Sequence, residues 1–182
     1  MMEGLRLAKQ LWSGEAVTWD GRWKVDQGVL APVPHRSGGP PIWLAAGAEV
    51  GIERAAKHYD GWFPIGPDAE TFGQRQQHFV TTAVKAGRDP ADLTTAIYLT
   101  VAIKADAAAA EASIDHYLHN YYGAPPAVMR SFQGCCGGSI DKVIAFIRGY
   151  VTAGANHVVL RLVGDHEVML RELAARRDEL MQ

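Results

Sequence analysis

A short glycine-containing loop is the first stretch whose residue types could do chemistry. It has the sequence Ala46-Gly47-Ala48-Glu49-Val50-Gly51 and follows the apolar run Ile42–Ala46, which is typical of a strand buried on both faces. A helix beginning near Ala48 would present unpaired backbone N–H groups and a partial positive charge, and small residues would let an anion approach closely. The residues of this predicted anion site are Ala46, Gly47, Ala48 and Gly51.

A purely structural interpretation of the same loop stays open. Gly47 is a residue type that commonly ends a strand, and Glu49 in the first helical turn complements the helix dipole. The carboxylate of Glu49 would also repel an anion unless it points away from the loop.

Arg161 is the second candidate site residue, because strand alternation places it near the C-terminal end of the last strand, Val158–Val163. In α/β proteins, ligands bind at that end of the strands. An arginine there could hold an anionic substrate or a phosphate through bidentate hydrogen bonds. An ordinary ion pair with Asp165 or Glu167 is the structural alternative.

Other reactive patterns are missing from the sequence. It contains no Ser/His/Asp arrangement, no G-x-x-x-x-G-K-[ST] phosphate loop and no G-x-G-x-x-G motif opening a helix. His116 and His119 lie on an alanine-rich helix without a third ligand nearby, which favours a solvated helix face over a metal site. Cys135 and Cys136 are adjacent, which favours reduced, structurally incidental thiols.

Hydrophobic periodicity predicts alternating strands and helices. The predicted strands are Ile42–Ala46, Asp60–Ile65, Leu93–Lys104 and Val158–Val163. The predicted helices are 48–58, 69–86, 105–121, 128–132, a helix from Ser139 to Gly154, and a helix from Asp165 to about Leu180, with Gly134–Gly138 as a glycine-rich break. This order predicts an α/β fold with a parallel sheet and helices packed outside it. Four βα units correspond to half of a (β/α)8 TIM barrel, which needs roughly 250 residues when complete.

The segment before the first of these strands has its own pattern. Residues 4–12 are predicted to form a helix, and Val17–Leu30 a β-hairpin with a type I′ turn at Asp20-Gly21. The proline-rich stretch Ala31–Pro41 is predicted to be a loop. Because no low-complexity linker divides the chain, we expect residues 1–182 to form a single domain.

Composition limits the classes of partner. The chain has 48% hydrophobic and 21% charged residues and a net charge of -2, which is typical of a globular domain. Its basic residues are spread along the chain, so nucleic acid and anionic membrane surfaces are not expected partners. No apolar stretch is long enough to cross a membrane and no signal-peptide layout is present, so we expect a cytoplasmic location.

Several sequence blocks, in a fixed order, carry a resemblance to a known family. The blocks are Leu11-Trp12-Ser13-Gly14, Asp20-Gly21-Arg22-Trp23, Pro32-Val33-Pro34, Pro40–Gly47, Asp60-Gly61-Trp62, Ala110-Glu111-Ala112, Tyr121-Tyr122-Gly123, Gly138-Ser139 and Tyr150–Leu160. Together they resemble the bacterial luciferase-like monooxygenases. The resemblance runs from Leu5 to about Leu173, and it depends on the order of the blocks rather than on any single one.

The resemblance implies a fold, a cofactor and an activity. Family members are (β/α)8 barrels that use reduced FMN or the deazaflavin coenzyme F420, and this chain would correspond to strands five to eight. The loop Ala46–Gly51 would then hold the phosphate end of the cofactor, and the substrate would be a small molecule. The implied activity is that of a flavin- or F420-dependent oxidoreductase or monooxygenase. The catalytic residues would lie mainly in the first half of the barrel, so none is assigned here.

A half barrel would have two open strand edges and an uncovered inner face. We therefore expect a truncated or split form that assembles as a homodimer or with a separately encoded N-terminal half barrel. The alternative is a non-catalytic remnant or scaffold that keeps the barrel shape and needs a partner half.

Overall fold

Parallel strands alternating with helices make up most of the chain in the computed structural model, which describes residues 2–66 and 68–180. The chain divides into two compact units, Met1–Pro41 and Ile42–Gln182. No helix within the described residues is long and apolar enough to span a membrane.

The N-terminal unit consists of a helix and a hairpin. Its elements are α1 (Met2–Leu11), β1 (Val17–Asp20) and β2 (Lys24–Gly28). The strands are antiparallel with Asp20 opposite Lys24, so the connection spans residues 21–23. The type I′ turn predicted at Asp20-Gly21 is wrong, because that turn needs positive φ at both central residues and neither of these two has it.

The C-terminal unit contains the remaining elements. They are β3 (Trp43–Leu44), α2 (Glu49–His58), β4 (Gly61–Trp62), α3 (Ala69–Lys85), β5 (Thr94–Ile103), α4 (Ala107–Tyr122), α5 (Pro126–Arg130), β6 (Gly134–Gly138), α6 (Ile140–Thr152), β7 (His157–Leu162), α7 (His166–Ala175) and α8 (Arg177–Leu180). Each strand and helix predicted from periodicity is present, with ends shifted by a few residues. The helix predicted to follow Asp165 is interrupted at Arg176, so it forms α7 and α8.

The glycine-rich segment Gly134–Gly138 is a strand, so its prediction as a break is wrong and the parallel sheet has five strands. Glycine is a weak strand former, and the local sequence therefore does not reveal β6. Tertiary packing explains the glycines: a Cβ on Gly137 would lie 2.7 Å from the backbone carbonyl carbon of Ala110 in α4. Only a residue without a side chain lets α4 approach the strand this closely.

β5 is the central strand of the sheet. β3 pairs with β4 and β4 with β5, all in parallel. β7 pairs with Ala96–Val101 of β5, whereas β6 pairs with Leu99–Ile103. Because these ranges overlap and a strand has two edges, β6 and β7 lie on opposite edges of β5.

The two faces of the sheet differ in how they are covered. On the outer face, side chains of α2, α3 and α6 bury Trp62, Ile97, Leu99 and Val101 in one hydrophobic core. We call the opposite side the inner face; alternation along the strands places Tyr98 and Arg161 there. Only part of this face is covered, by α4, which packs Ala110, Ile114 and Leu118 on Ala102.

Candidate functional site

The loop after β3 joins the sheet to the N-terminus of α2. Trp62, which is fully buried, donates a hydrogen bond from Nε1 to the carbonyl oxygen of Ala46 over 2.7 Å. Ala48 is the N-cap of α2 and provides no side-chain hydrogen bond to the helix. In contrast, side chains cap the N-termini of α3, α4, α6 and α7: Asp68, Asp106, Ser139 and Asp165. The first N–H groups of α2 are therefore left for another acceptor.

Space and positive charge are both present beside this loop. A Cβ on Gly47 would meet no atom within 4 Å. A cavity of about 340 Å³ adjoins Gly47 and is also lined by Arg75 and His78 of α3. Arg75 forms no salt bridge with any carboxylate of residues 2–66 and 68–180. Glu49 lines the same cavity and is exposed, so an anion would have to bind with this carboxylate turned towards solvent.

The predicted anion-site residues have different structural roles. Gly47 and Ala48 are exposed, as an approaching ligand requires. Gly51 donates its N–H to the carbonyl of Ala48 over 2.9 Å, and a Cβ on it would lie 2.7 Å from the Cβ of Ala46. Ala46 itself packs against the outer core. Gly51 and Ala46 thus let the loop close on itself, whereas Gly47 and Ala48 present its open surface.

Arg161 lies on β7 among tyrosines. Its Nε donates to the hydroxyl of Tyr98 over 3.2 Å, and its guanidinium carbon is 5.7 Å from the ring centroids of both Tyr117 and Tyr121. The alternative ion pair is not formed within the described residues. Asp165 instead caps α7, and Glu167 pairs with Arg171.

The tyrosines around Arg161 form a polar cluster, which we define as Tyr98, Tyr117, Tyr121 and Tyr122; the first two are partly buried and the last two are exposed. The rings of Tyr117 and Tyr121 stack with their centroids 5.3 Å apart. Burial, together with the neighbouring Tyr98, raises the pKa of Tyr117 to about 12, so its phenol stays protonated and can donate a hydrogen bond. The hydroxyl of Tyr117 is buried and makes no hydrogen bond of normal geometry with the described residues.

A groove of about 640 Å³ lies beside this cluster, between α4 and the residues that follow β7. Tyr117, Tyr121, Val163 and Gly164 contribute to its walls. It therefore opens at the C-terminal end of β7, close to Arg161. The spacing of Tyr117 and Tyr121 puts them on one helix face and could have indicated a cluster. Their meeting with Arg161 could not be predicted without the strand register.

The cysteines and histidines add no second reactive group. Burial raises the pKa of Cys135 to about 11, which disfavours the reactive thiolate. His116 and His119 are exposed on α4, as the sequence indicated, and His116 pairs with Asn120 over 2.8 Å. Among the described residues no group of three or more possible metal ligands is found.

Comparisons with known proteins agree on one family. The family model for luciferase-like monooxygenase matches residues 1–181. An F420-dependent glucose-6-phosphate dehydrogenase of Rhodococcus erythropolis is 26% identical over 97% of this chain and 58% of its own length. An F420-dependent hydroxymycolic acid dehydrogenase of Mycobacterium tuberculosis is 32% identical over 62% of this chain and 31% of its own length.

Solved structures show the same fold at low sequence identity. An F420-dependent secondary alcohol dehydrogenase in complex with an F420-acetone adduct superposes with a TM-score of 0.81 at 16% identity, covering 99% of this chain and 61% of that protein. A long-chain alkane monooxygenase superposes with a TM-score of 0.69 at 18% identity, covering 96% of this chain and 55% of that protein. The chain thus spans only 58% of the length of the first curated relative it matches. Because the family model extends over residues 1–181, the chain belongs to the luciferase-like monooxygenase family.

Proposed function

We propose that this chain forms part of a flavin- or F420-dependent oxidoreductase, and that the loop after β3 holds the phosphate end of the cofactor. The observation that carries this proposal is the open N-terminus of α2, which lacks a side-chain cap and adjoins a cavity lined by Gly47 and Arg75. An uncapped helix N-terminus favours an anion through its N–H groups and its partial positive charge. Arg75 would add a full positive charge to that site.

The four residues of the predicted anion site would have different roles in binding: Ala46, Gly47, Ala48 and Gly51. Gly47 and Ala48 would let a phosphate approach the first N–H groups of α2 closely, while Ala46 and Gly51 keep the loop in shape. When bound, the reduced cofactor would supply the hydride or the oxygen-activating chemistry. The relatives are F420-dependent dehydrogenases by name, and one structural neighbour is a riboflavin lyase solved with modified FMN, so FMN and F420 are both candidates.

Arg161 would contact the substrate from β7. Its Nε donates a hydrogen bond to Tyr98, which orients the guanidinium. Both terminal amino groups make no hydrogen bond with the described residues, so they can approach an anionic group of a small molecule. β3 and β7 are separated in the sheet by β4 and β5. The cofactor phosphate and the substrate would therefore bind at the C-terminal ends of different strands.

We also propose that the sheet is the second half of a (β/α)8 barrel whose remaining strands cover the inner face. Ile65 pairs with Tyr98, which places it on the inner face, and it is 49% exposed. Exposed apolar residues on an open sheet face are typical of a surface that another chain or element covers. The cover would come from an N-terminal half barrel or from a second copy of the chain. The cytoplasmic location and the single domain expected from the sequence stay predictions.

Cofactor titration tests the proposal. Purified protein is titrated with reduced F420 and with reduced FMN, and binding is followed by calorimetry. We expect the wild-type protein to bind one of the two cofactors. Gly47→Asp should abolish binding because it adds a negative charge at the loop. Gly47→Ala should keep the fold. Absence of binding by the assembled protein would favour the alternative of a non-catalytic scaffold.

Analytical ultracentrifugation tests the cover of the inner face. The wild-type chain is expected to self-associate, or to bind an added N-terminal half barrel. Ile65→Asp should weaken that association, whereas Val84→Asp, an exposed change on α3, should not. A wild-type chain that stays monomeric and binds no such half would contradict the proposed cover.

A further inference from the structure

The groove beside Arg161 has a composition that indicates a class of substrate. Apart from the hydroxyls of Tyr117 and Tyr121, its polar side chains have partners among the described residues. Ser113 donates to the carbonyl of Ala109 over 2.8 Å and accepts from Lys104 over 2.6 Å, and His116 bonds to Asn120. What the groove presents to a ligand is therefore mainly carbon. The contributing surfaces are those of Ala112, Tyr117, Tyr121, Val163 and Gly164.

The positive charge of Arg161 lies at one side of this carbon-lined groove. Arg161 contacts the faces of Tyr117 and Tyr121, and these two rings also line the groove. No carboxylate of residues 2–66 and 68–180 forms a salt bridge with Arg161. Two buried polar atoms near the same end of the sheet, Oγ1 of Thr100 and Nε2 of Gln133, also lack partners there.

These features match one ligand chemistry better than another. A sugar phosphate would place several hydroxyl groups against carbon, where the groove offers them few hydrogen-bond partners. An amphipathic acid would instead place its apolar or aromatic body against the tyrosine rings and its anionic group at Arg161.

We propose that the substrate of this site is an amphipathic organic anion, with its apolar body in the α4 groove and its acidic group at Arg161. The inference rests on the proposed function, since it names the substrate class of that same site. It does not require a cofactor to be bound.

A pair of fluorescent probes tests the inference without measuring activity. 8-Anilinonaphthalene-1-sulfonate carries a sulfonate on an aromatic body, and N-phenyl-1-naphthylamine has the same body without the charge. We expect the wild-type chain to bind the sulfonate at least about tenfold more tightly, as is typical of a charge-assisted contact. Arg161→Gln should remove this preference and leave the affinity for the neutral amine unchanged.

Matched variants locate the probe. Ala112→Trp should fill the groove and weaken both dyes, while Ala174→Trp on the exposed side of α7 should weaken neither. Arg148→Gln, which removes an exposed arginine of α6, should keep the preference for the sulfonate. The proposal would be overturned if Arg161→Gln still preferred the sulfonate dye, or if Ala112→Trp bound both dyes as tightly as the wild-type chain.

Competition separates the two ligand classes. Decanoate is expected to displace the sulfonate dye from the wild-type chain, and glucose 6-phosphate at the same concentration is not. Displacement by the sugar phosphate alone would overturn the proposed substrate class. A wild-type chain that binds the dyes as expected but binds neither cofactor would contradict only the proposed function. Failure of the proposed function can therefore be told apart from failure of the proposed substrate class.

Discussion

Arg161 and Tyr98 are joined by a hydrogen bond across neighbouring parallel strands, from Nε of the guanidinium to the phenolic oxygen over 3.2 Å. The register pairs Tyr98 with Val159, so the bond runs diagonally towards the C-terminal end of the sheet. Tyr117 and Tyr121 hold the guanidinium on its other sides. Arg161 is thereby directed by neutral groups, which leave its charge available to a ligand.

Removing the acceptor should destabilise this arrangement. Tyr98→Phe is expected to lower the free energy of unfolding by about 1–2 kcal/mol, because Arg161 loses a partly buried hydrogen bond to a charged donor. Tyr121→Phe is the matched control, since its hydroxyl makes no hydrogen bond with the described residues. Urea denaturation gives both values, and equal losses in the two variants would contradict the role assigned to Tyr98.

The loop at Ala46 should depend on the indole nitrogen of Trp62. Trp62→Phe removes the donor to the Ala46 carbonyl and leaves a void between Phe72 and Phe79, so we expect a loss of about 2–4 kcal/mol in unfolding free energy. Trp43→Phe is the control, because its buried Nε1 has no partner within the described residues. Thermal unfolding of the two variants side by side checks the difference. A larger loss in Trp43→Phe would show that the indole hydrogen bond is unimportant.

The contact between β6 and α4 should not tolerate a side chain. Gly137→Ala would place a Cβ 2.7 Å from the backbone of Ala110, and the required shift should cost about 1–3 kcal/mol of stability. Gly47→Ala meets no atom within 4 Å and should change stability by less than about 1 kcal/mol. Melting temperatures compare the two, and an unchanged value for Gly137→Ala would mean that α4 is free to move away.

Acid should weaken the fold through Glu111. Burial by itself would raise the pKa of this carboxyl, but hydrogen bonds from the Gly137 N–H, Arg130 and Lys142 lower it below its ordinary value of 4.5. Because the pKa is lower in the folded state, the stabilisation is present above pH 4.5 and is lost as the pH falls through the folded pKa.

We therefore expect the unfolding free energy of Glu111→Gln to decrease less steeply than that of the wild type as the pH falls below 4.5. Glu172→Gln removes an exposed carboxylate that has no salt bridge in the described part of the chain, and it provides the baseline. Chemical denaturation at a series of pH values measures the slopes. Identical slopes for Glu111→Gln and wild type would contradict this role.

Apart from β6 and the division between α7 and α8, the sequence by itself determined the order of strands and helices, because apolar runs and helical stripes are local patterns. It also indicated both candidate sites, at Gly47 and at Arg161, since glycine loops and strand-end arginines are visible in one dimension. The tertiary structure decided what these residues meet. β6 pairs with an edge of β5, and its glycines let α4 pack closely on it. Arg161 meets Tyr98 because parallel pairing brings β7 beside β5, and it meets Tyr117 and Tyr121 because α4 packs on the inner face. Such relations join residues far apart in the chain, and no periodicity within one segment records them.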